Sequence, residues 1–410
     1  MASVARGEEV LFVSRQRLVG RTNGSSAYLL DLAQSAREAG FVPHLVQPTP
    51  RVAGRWPFLR LRPEMAVFES HAIRGLWRIG DVFISPSPTV WWAAGRGVLS
   101  RLLRRAGLDW AWLRDRPFGY VIAEKWRPAD LRYLARRGRR GAIAVLDYMF
   151  CAEGLRGLAG PKRSAIVMHD LFHARQGAQG DTVTSIDRDA EVALLGQADA
   201  VIAIQASEAG FVAANLPDSE VILAPIAAQG EATPSAGQDD CLLFVGSNTG
   251  PNVVGLRWFL TDVWPLVRAA RPDARLQVAG MVGWAFAGEA FEGVSFLGMV
   301  DSLEPLYAQA GVVISPLTFG SGLKIKLIEA LAHGKAVVCT SVTLQGVEGE
   351  AGPAVALADS AEGFAQATIA LCGDGAARQL AAEAAVLAVE AHFSRSACHR
   401  GFVDWLRRGG

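Results

Sequence analysis

Lysine is scarce in this sequence. Its 410 residues include 36 Arg but only 5 Lys, and three of the five, Lys324, Lys326 and Lys335, are crowded into one short stretch. Cysteine is scarce too. The five lie at 151, 241, 339, 372 and 398, with no pair at metal-ligand or redox spacing, so a reducing cytoplasm is expected rather than a disulfide framework. Long apolar runs are absent. Residues 305–323 lack charge but contain Pro, Gly, Gln and Ser, which suits a buried strand with loops and not a membrane span. The opening MASVARGEEVLFVSRQ has no hydrophobic signal region.

What is present is unevenly spread. Net charge is +1, yet residues 1–226 hold 29 basic and 22 acidic residues while 227–410 hold 12 and 18. The basic excess peaks at 96–140, with 13 basic residues against 4 acidic. Seven of the eleven Trp precede residue 130. Residues 90–106 carry a helical pattern, with Trp91, Ala94, Val98 and Leu102 on one side and Arg96, Ser100, Arg101 and Arg104 on another. Two expectations follow: a peripheral membrane contact through 90–140, or, slightly preferred, a helix packed on its sheet with a wet arginine face.

The lysine-rich stretch reads SPLTFGSGLKIKLIEALAHGKAVVCT from 315 to 340. An apolar run (Val312, Val313, Ile314) leads into Gly320-Ser321-Gly322, a helix-period segment follows, and Ala336-Val337-Val338 closes the unit. Such a turn leaves N–H groups unpaired at a helix start, where an anion can sit. The spacing predicts a helix from near Gly322 to about His333, with Leu323, Leu327, Ala330 and Leu331 buried. Lys324 and Lys326 are then about 200° apart, so either the first turn is irregular or only one of them meets the ligand. Lys326 and Glu329 are an i,i+3 pair, which also suits a plain surface ion pair. The segment fits neither a Walker A loop nor a dinucleotide GxGxxG fingerprint.

Length and half-hydrophobic composition predict two domains. Strand Val10–Val13, the turn 20–26 and a helix from about Ser25 to Ala39 open the first. Strands at Val42–Val46, Val82–Ser85, Tyr120–Ala123, Ala142–Leu146, Ala165–Met168, Ala200–Ile204 and Val221–Ala224 continue it. A second alternating series runs through Leu242–Val245, Pro251–Arg268, Arg275–Ala279, Val294–Leu297, Val312–Ser315 and Ala336–Cys339, followed by helices from Ser360 to Arg408. The fold class is α/β: two tandem Rossmann-like, doubly wound domains facing a cleft. The boundaries are 1–226, a linker at 227–240, 241–385, and a C-terminal helix at 386–410 packing back on the first domain.

Three stretches of the second half resemble retaining glycosyltransferases of the GT-B architecture, family 4-like. They are LLFVGSNTGPNVVGLRWFLTDVWPLVRAARPDARLQVAG (242–280), GVSFLGMVDSLEPLYAQAGVVISP (293–316) and FGSGLKIKLIEALAHGKAVVCTSVTLQGVEG (319–349). The resemblance implies a nucleotide-sugar donor bound by the second domain and a glycan or lipid-linked acceptor bound by the first. It implies no metal and no further cofactor, and no nucleic-acid partner is expected. Glu329 matches the acid that holds the donor ribose. Gly320, Ser321, Gly322 and Leu323 match the diphosphate loop. Lys324 or Lys326 would neutralise the departing diphosphate. Gly246, Ser247, Asn248 and Asn252 form the facing loop, and Met299 and Val300 would flank the base.

Two departures stand out. Ser321 occupies the place where many members carry a first acid, and the 247–258 loop lacks the usual basic pair, having Asn and Gly with Arg257 further on. On the acceptor side, His169-Asp170 ends the strand Ala165–Met168 and is the candidate catalytic pair; a buried structural His is the bland alternative. His173 and Arg175, with Asn23, Gly24 and Ser25 of the first turn, are candidate acceptor contacts. Asp187, Asp189, Glu191 and Glu208 are expected to be structural. The implied activity is sugar transfer in surface-polysaccharide synthesis at the cytoplasmic side of a bacterial membrane. A nucleotide-sugar 2-epimerase of the same architecture and a non-catalytic sugar-binding protein are the alternatives, the latter kept open by Ser321.

Overall fold

Strand β1 (Glu9–Val13) shows why the first half builds a parallel sheet. Val10 and Phe12 enter one apolar cluster while Leu11 and Val13 enter another, so the strand is buried on both faces. The computed structural model describes residues 7–54, 56–106, 122–175, 186–228, 233–320 and 324–408. The chain divides into two units, Met1–Ile226 with Cys398–Gly410, and Ala227–Ala397.

In the first unit β1 is followed by β2 (Val42–Gln47), β3 (Phe58–Arg60), β4 (Ser70–Ile73), β5 (Trp77–Ile79), β6 (Val82–Ile84), β7 (Ile143–Asp147), β8 (Ser164–Met168), β9 (Ala200–Ala203) and β10 (Glu220–Leu223). Seven of these form one parallel sheet in the order β10-β9-β8-β7-β1-β2-β4. The order reverses between β1 and β7, and ligands of such sheets bind beyond the carboxyl ends at that point.

The strand expected at Val82–Ser85 is not part of that sheet. It is β6, in a small antiparallel sheet β3-β6-β5. Only Gly80 and Asp81 separate β5 from β6, and Gly80 has φ of +60°, so a tight hairpin forms where a parallel crossover would need a dozen residues or more. Of the strand expected at Tyr120–Ala123, residues 120 and 121 lie outside the described residues, while 122 and 123 form a turn.

Helix α1 (Gly24–Glu38) follows β1 and is started by a reciprocal cap. The Asn23 side chain accepts from the Ser26 N–H at 2.8 Å, and the Ser26 hydroxyl accepts from the Asn23 N–H at 3.0 Å. Helix α2 (Pro88–Arg105) overturns the packed-helix expectation, since the residues it buries are Gly97 and Ser100 while Trp91, Trp92, Val98, Leu99 and Leu102 face outward.

The second unit carries β11 (Cys241–Val245), β12 (Arg275–Ala279), β13 (Val294–Gly298), β14 (Val312–Ser315), β15 (Ala336–Cys339) and β16 (Ala356–Leu357). They pair in parallel in the order β13-β12-β11-β14-β15-β16, with the reversal between β11 and β14. Leu242 and Phe244 serve one face and Leu243 the other.

Two boundaries differ from the sequence reading. From 233 onward the expected linker is fastened to the second unit: buried Arg378 donates to the Ala236 carbonyl at 2.7 Å and pairs with Asp239, and Lys335 donates to Ser235. Polar composition marked these residues as linker, but it is their oxygens that satisfy two buried cations. The segment returning to the first unit starts at Cys398, not 386, because Ala385, Val389 and Phe393 belong to the cluster of Leu327 and Leu331. Helix Arg400–Arg407 anchors the return by burying Phe402, Trp405 and Leu406 beside Leu29 and Leu32, each contributing about 2 kcal/mol.

Candidate functional site

In the second unit the loops leaving the carboxyl ends of β11, β13 and β14 hold the residues singled out in the sequence. Gly246 follows β11. Its N–H donates to the Ala279 carbonyl at 3.0 Å, and its carbonyl accepts from Val282 at 3.2 Å. Gly280 approaches so closely, with φ of +98°, that a Cβ there would lie 2.3 Å from the Gly246 oxygen. Only glycine permits this contact. Ser247 and Asn248 are exposed beyond it. The Asn252 amide donates to the Ser247 carbonyl, the Ser247 hydroxyl and the Thr249 hydroxyl, each at 3.1 Å, which ties the loop into a fixed shape. Met299 is exposed just past β13, with Val300 half-buried next to it.

The helix after the glycine turn runs from Ile325 to Ala332, so it starts three residues later than the spacing predicts. Lys324 is its N-cap and Lys326 lies in its first turn. The geometric conflict between the two lysines disappears because Lys324 stands before the helix. Its side chain runs back along Gly320: a Cβ on that glycine would meet the Lys324 Cε at 3.8 Å and Pro251 at 3.4 Å. Burial lowers the Lys324 pKa from the ordinary lysine value. Ser321, Gly322 and Leu323 lie outside the described residues.

Glu329 is held on both oxygens. The Lys326 ammonium donates to Oε2 at 2.6 Å and the Tyr307 hydroxyl to Oε1 at 3.2 Å. Burial raises the Tyr307 pKa, which keeps that hydroxyl a donor. His333 stacks on the Tyr307 ring at 4.0 Å and 13°. The expected surface ion pair is therefore real, but it sits beside a small cavity lined by Asn252, Tyr307, Ser315, Lys324 and Lys326. Tyr307 and His333 were not found in the sequence. His333 caps the helix that carries Glu329, while Tyr307 lies in the helix Glu304–Gln309 ahead of β14, and the two rings meet only in the fold.

In the first unit the strand ends around the β1–β7 reversal carry a second cluster. Asp147, the last residue of β7, is 1% exposed. Its Oδ2 accepts from the Ser14 hydroxyl at 2.6 Å and the Gln16 amide at 2.7 Å, and its Oδ1 is 2.7 Å from His169 Nε2. Of the candidate residues His169 and Asp170, the first is bonded to Asp147, and the second accepts from the Leu171 N–H in its own turn. Successive residues of an extended segment point apart, whereas β7 and β8 are neighbours.

Tyr148 follows Asp147 with φ of +67°, a region costly for a bulky residue, on the order of 1–3 kcal/mol. Its ring stacks on His169 at 4.0 Å and its hydroxyl lies 2.5 Å from the Ser25 hydroxyl. Ser25 therefore belongs to this cluster. Asn23 does not, because its side chain is spent on the α1 cap, and Gly24 has no neighbour within 4 Å of a built Cβ.

His173 is likewise drawn off. Its Nδ1 lies 2.7 Å from the buried Glu191 carboxylate, its N–H donates to the same group at 2.9 Å, and its ring stacks on Phe211. Glu191 thus has the structural role expected of it, as does Glu208, which accepts from the Ile204 and Gln205 N–H groups. Burial holds the Glu208 carboxyl above the usual range. The Arg175 side chain lies outside the described residues. Among the described residues no three His, Cys, Asp or Glu side chains gather as a metal site.

Comparison with known proteins adds three findings. Residues 239–374 match the family model described as Glycosyl transferases group 1. A curated relative, an uncharacterized 44.6 kDa protein in the cps region of Klebsiella pneumoniae, is 29% identical over 136 residues, which is 30% of this chain and 35% of that protein. The chain thus matches only about a third of that relative's length. Among solved structures, TarM from S. aureus in a complex containing UDP aligns with a TM-score of 0.58 at 9% identity, over 97% of this chain and 99% of that one. Sucrose-phosphate synthase from Thermosynechococcus elongatus gives 0.56 at 15% identity over 98% of both. Anabaena HepE, solved with UDP, gives 0.54 at 13% identity over 98% of this chain and all of that one. At these identities the likeness is one of fold. Residues 239–374 form a domain of the glycosyl transferases group 1 family, in a chain whose two Rossmann-like units have the GT-B fold.

Proposed function

We propose that the protein transfers a sugar, with retention of anomeric configuration, from a nucleoside-diphosphate sugar to a glycan or lipid-linked surface-polysaccharide acceptor. The observation that carries this reading is the arrangement at the β11–β14 reversal. Lys324 lies along Gly320, Glu329 is fixed by Lys326 and Tyr307, and the loop from Gly246 to Asn252 faces the same strand ends, all within the residues matched by the family model. The TarM and HepE structures, solved with UDP, and the cps-region relative favour the same reading.

In this reading Glu329 accepts hydrogen bonds from the vicinal ribose hydroxyls, exchanging its contacts with Lys326 and Tyr307 for them. The N–H groups of Gly320, Ser321, Gly322 and Leu323 meet the diphosphate. Met299 and Val300 flank the base, and Ser247, Asn248 and Asn252 border the phosphates. Lys324 neutralises the charge that grows on the diphosphate as the bond from anomeric carbon to phosphate oxygen breaks. The electron pair leaves with that oxygen, the acceptor oxygen bonds to the anomeric carbon from the same face, and its proton passes to the departing phosphate. His169, set by Asp147 and Tyr148, belongs to the acceptor-binding unit. No cofactor beyond the donor is invoked. The reading places the enzyme in the cytoplasm; among the described residues no helix is long and apolar enough to cross a membrane.

Incubation with a panel of labelled nucleotide sugars and glycan acceptors tests the proposal, with the anomeric configuration of the product read by NMR. Label in an acceptor with the donor's configuration is the expected result. An inverted product overturns retention, an isomerised donor without transfer assigns an epimerase, and donor binding without turnover assigns a binding protein.

A further inference from the structure

Helix α2 is turned inside out. At 100° per residue Trp91, Trp92, Val98, Leu99 and Leu102 share a stripe about 120° wide, the kind that normally faces a core. All five are exposed, from 39% for Val98 to 64% for Trp92. The helix rests instead on Gly97 and Ser100, whose small side chains allow close approach.

The antiparallel sheet beside it repeats the pattern. Its register sets Phe58 opposite Ile84 and Ile84 opposite Trp77, with Arg60, Val82 and Ile79 two residues away on the same face. Phe58, Trp77 and Ile79 are 50%, 66% and 65% exposed, while Leu59 and Phe83, on the other face, are buried. The two patches join through Trp56, whose ring centroid lies 6.0 Å from that of Phe58 and under the Arg101 guanidinium at 5.3 Å.

The rim of this surface is cationic. Arg96, Arg101, Arg104 and Arg105 are the only charged residues of α2, and Arg60 shares the sheet face of Phe58, paired with Asp81. An exposed apolar face of this extent marks an interaction site. A purely acidic partner would match the arginines but leave five apolar side chains of the helix in water. A purely apolar partner would bury them but leave the guanidinium groups unmatched. The interfacial zone of an anionic bilayer satisfies both, with Trp at the headgroup level and Arg on the phosphates.

We propose that the exposed apolar face of α2 and the outer face of the β3-β6-β5 sheet together dock this protein onto an anionic phospholipid surface. The proposal stands apart from the transfer reading and can hold if that reading fails.

The test is co-sedimentation with vesicles of phosphatidylglycerol and phosphatidylcholine, against vesicles of phosphatidylcholine alone. The protein should pellet with the anionic vesicles only, with a blue shift of its tryptophan emission, and raised salt should release it. Replacing Arg101, Arg104 and Arg105 by Gln should weaken binding roughly five-fold per arginine. The pairs Trp91→Ser with Trp92→Ser, and Trp77→Ser with Ile79→Ser, should each weaken it independently. Every replaced side chain is exposed, so thermal unfolding should stay close to the wild type, with a small loss only for Trp91→Ser, which gives up the indole bond to the Ser85 carbonyl at 2.8 Å. Failure to pellet with anionic vesicles, or binding indifferent to all three sets, would overturn the proposal. So would wild-type self-association, without vesicles, that the Trp substitutions abolish, since a second copy would then be the occupant.

Discussion

Asp147 ends β7, His169 follows the end of its parallel neighbour β8, and the two meet at 2.7 Å, from Asp147 Oδ1 to His169 Nε2. Because the same carboxylate accepts from Ser14 and Gln16, the ring nitrogen donates here and Nδ1 is left to face other groups. If His169 serves the proposed transfer, Asp147 is a positioning residue that acts through it.

Asp147→Asn should therefore lower kcat about ten-fold or more while leaving the donor KM near its wild-type value, since the proposed function assigns the nucleotide to the other unit. The lost charge-assisted bonds should also destabilise the first unit by roughly 1–3 kcal/mol. Imidazole 15N shifts separate positioning from a merely structural role: the Nε2-protonated form should dominate in the wild type and lose its preference in the variant. An unchanged tautomer with reduced kcat would refute the assignment.

Glu329 and Lys326 form a half-exposed ion pair, and such pairs contribute about 0–1 kcal/mol to stability. Lys326→Met should accordingly leave thermal unfolding almost unmoved. Glu329→Ala should weaken nucleotide binding about ten-fold or more by calorimetry, because two ribose hydroxyls lose a charged acceptor. Tyr307→Phe should give a smaller loss in the same direction, since the tyrosine hydroxyl only orients Oε1. If Glu329→Ala and the wild type bind the nucleotide equally, the ion pair is the whole role of Glu329.

Most parallel strands were legible because strands such as β1, β11 and β14 are apolar on both faces, and the helix after Lys324 was legible, though not its first residue, because its apolar positions keep the helical period. What escaped was pairing at a distance. Asp147 looks like the polar end of an apolar run until the sheet order places it beside β8 and β1. The inverted α2 escaped for a different reason. Periodicity reveals that a helix has an apolar stripe, but not which side the protein covers, and the small residues Gly97 and Ser100 carried that signal. The polar residues at 233–240 misled because a linker and a set of acceptors for buried Arg378 and Lys335 have the same composition.

Lys335 gives a stability test. It is 1% exposed, donates to Ser235, and burial pushes its pKa down to about 8. The unfolded chain, with a lysine near its ordinary value of about 10.4, binds the proton more tightly. Unfolding thus takes up a proton between those values, and stability from this group rises with pH from about 8 to 10 by at most roughly 3 kcal/mol. Cys339 and Cys372, both pushed up to about 12, act oppositely above pH 9, so the total curve is mixed. The difference between wild type and Lys335→Met cancels Cys339 and Cys372, which Lys335 does not perturb. Measured by denaturant unfolding, it should shift in favour of the wild type as pH rises, and a flat difference would contradict the buried lysine.

Lys324 gives the functional counterpart. Burial already lowers its pKa in the unliganded protein, so it should lose its proton at a lower pH than an exposed lysine. A bound diphosphate favours the charged form, which makes donor binding take up a proton once Lys324 of the unliganded protein has begun to titrate. Donor affinity should then fall with rising pH, starting below the usual lysine range and with a slope approaching ten-fold per unit. Lys324→Met should abolish that slope and lower turnover by about ten-fold or more, because the ammonium acts most strongly on charge developing at the transition state. Lys324→Arg should keep a charge that does not titrate, restoring part of the activity with a flat alkaline profile. If Lys326→Met flattens the profile and Lys324→Met does not, the two lysines exchange the roles given to them here.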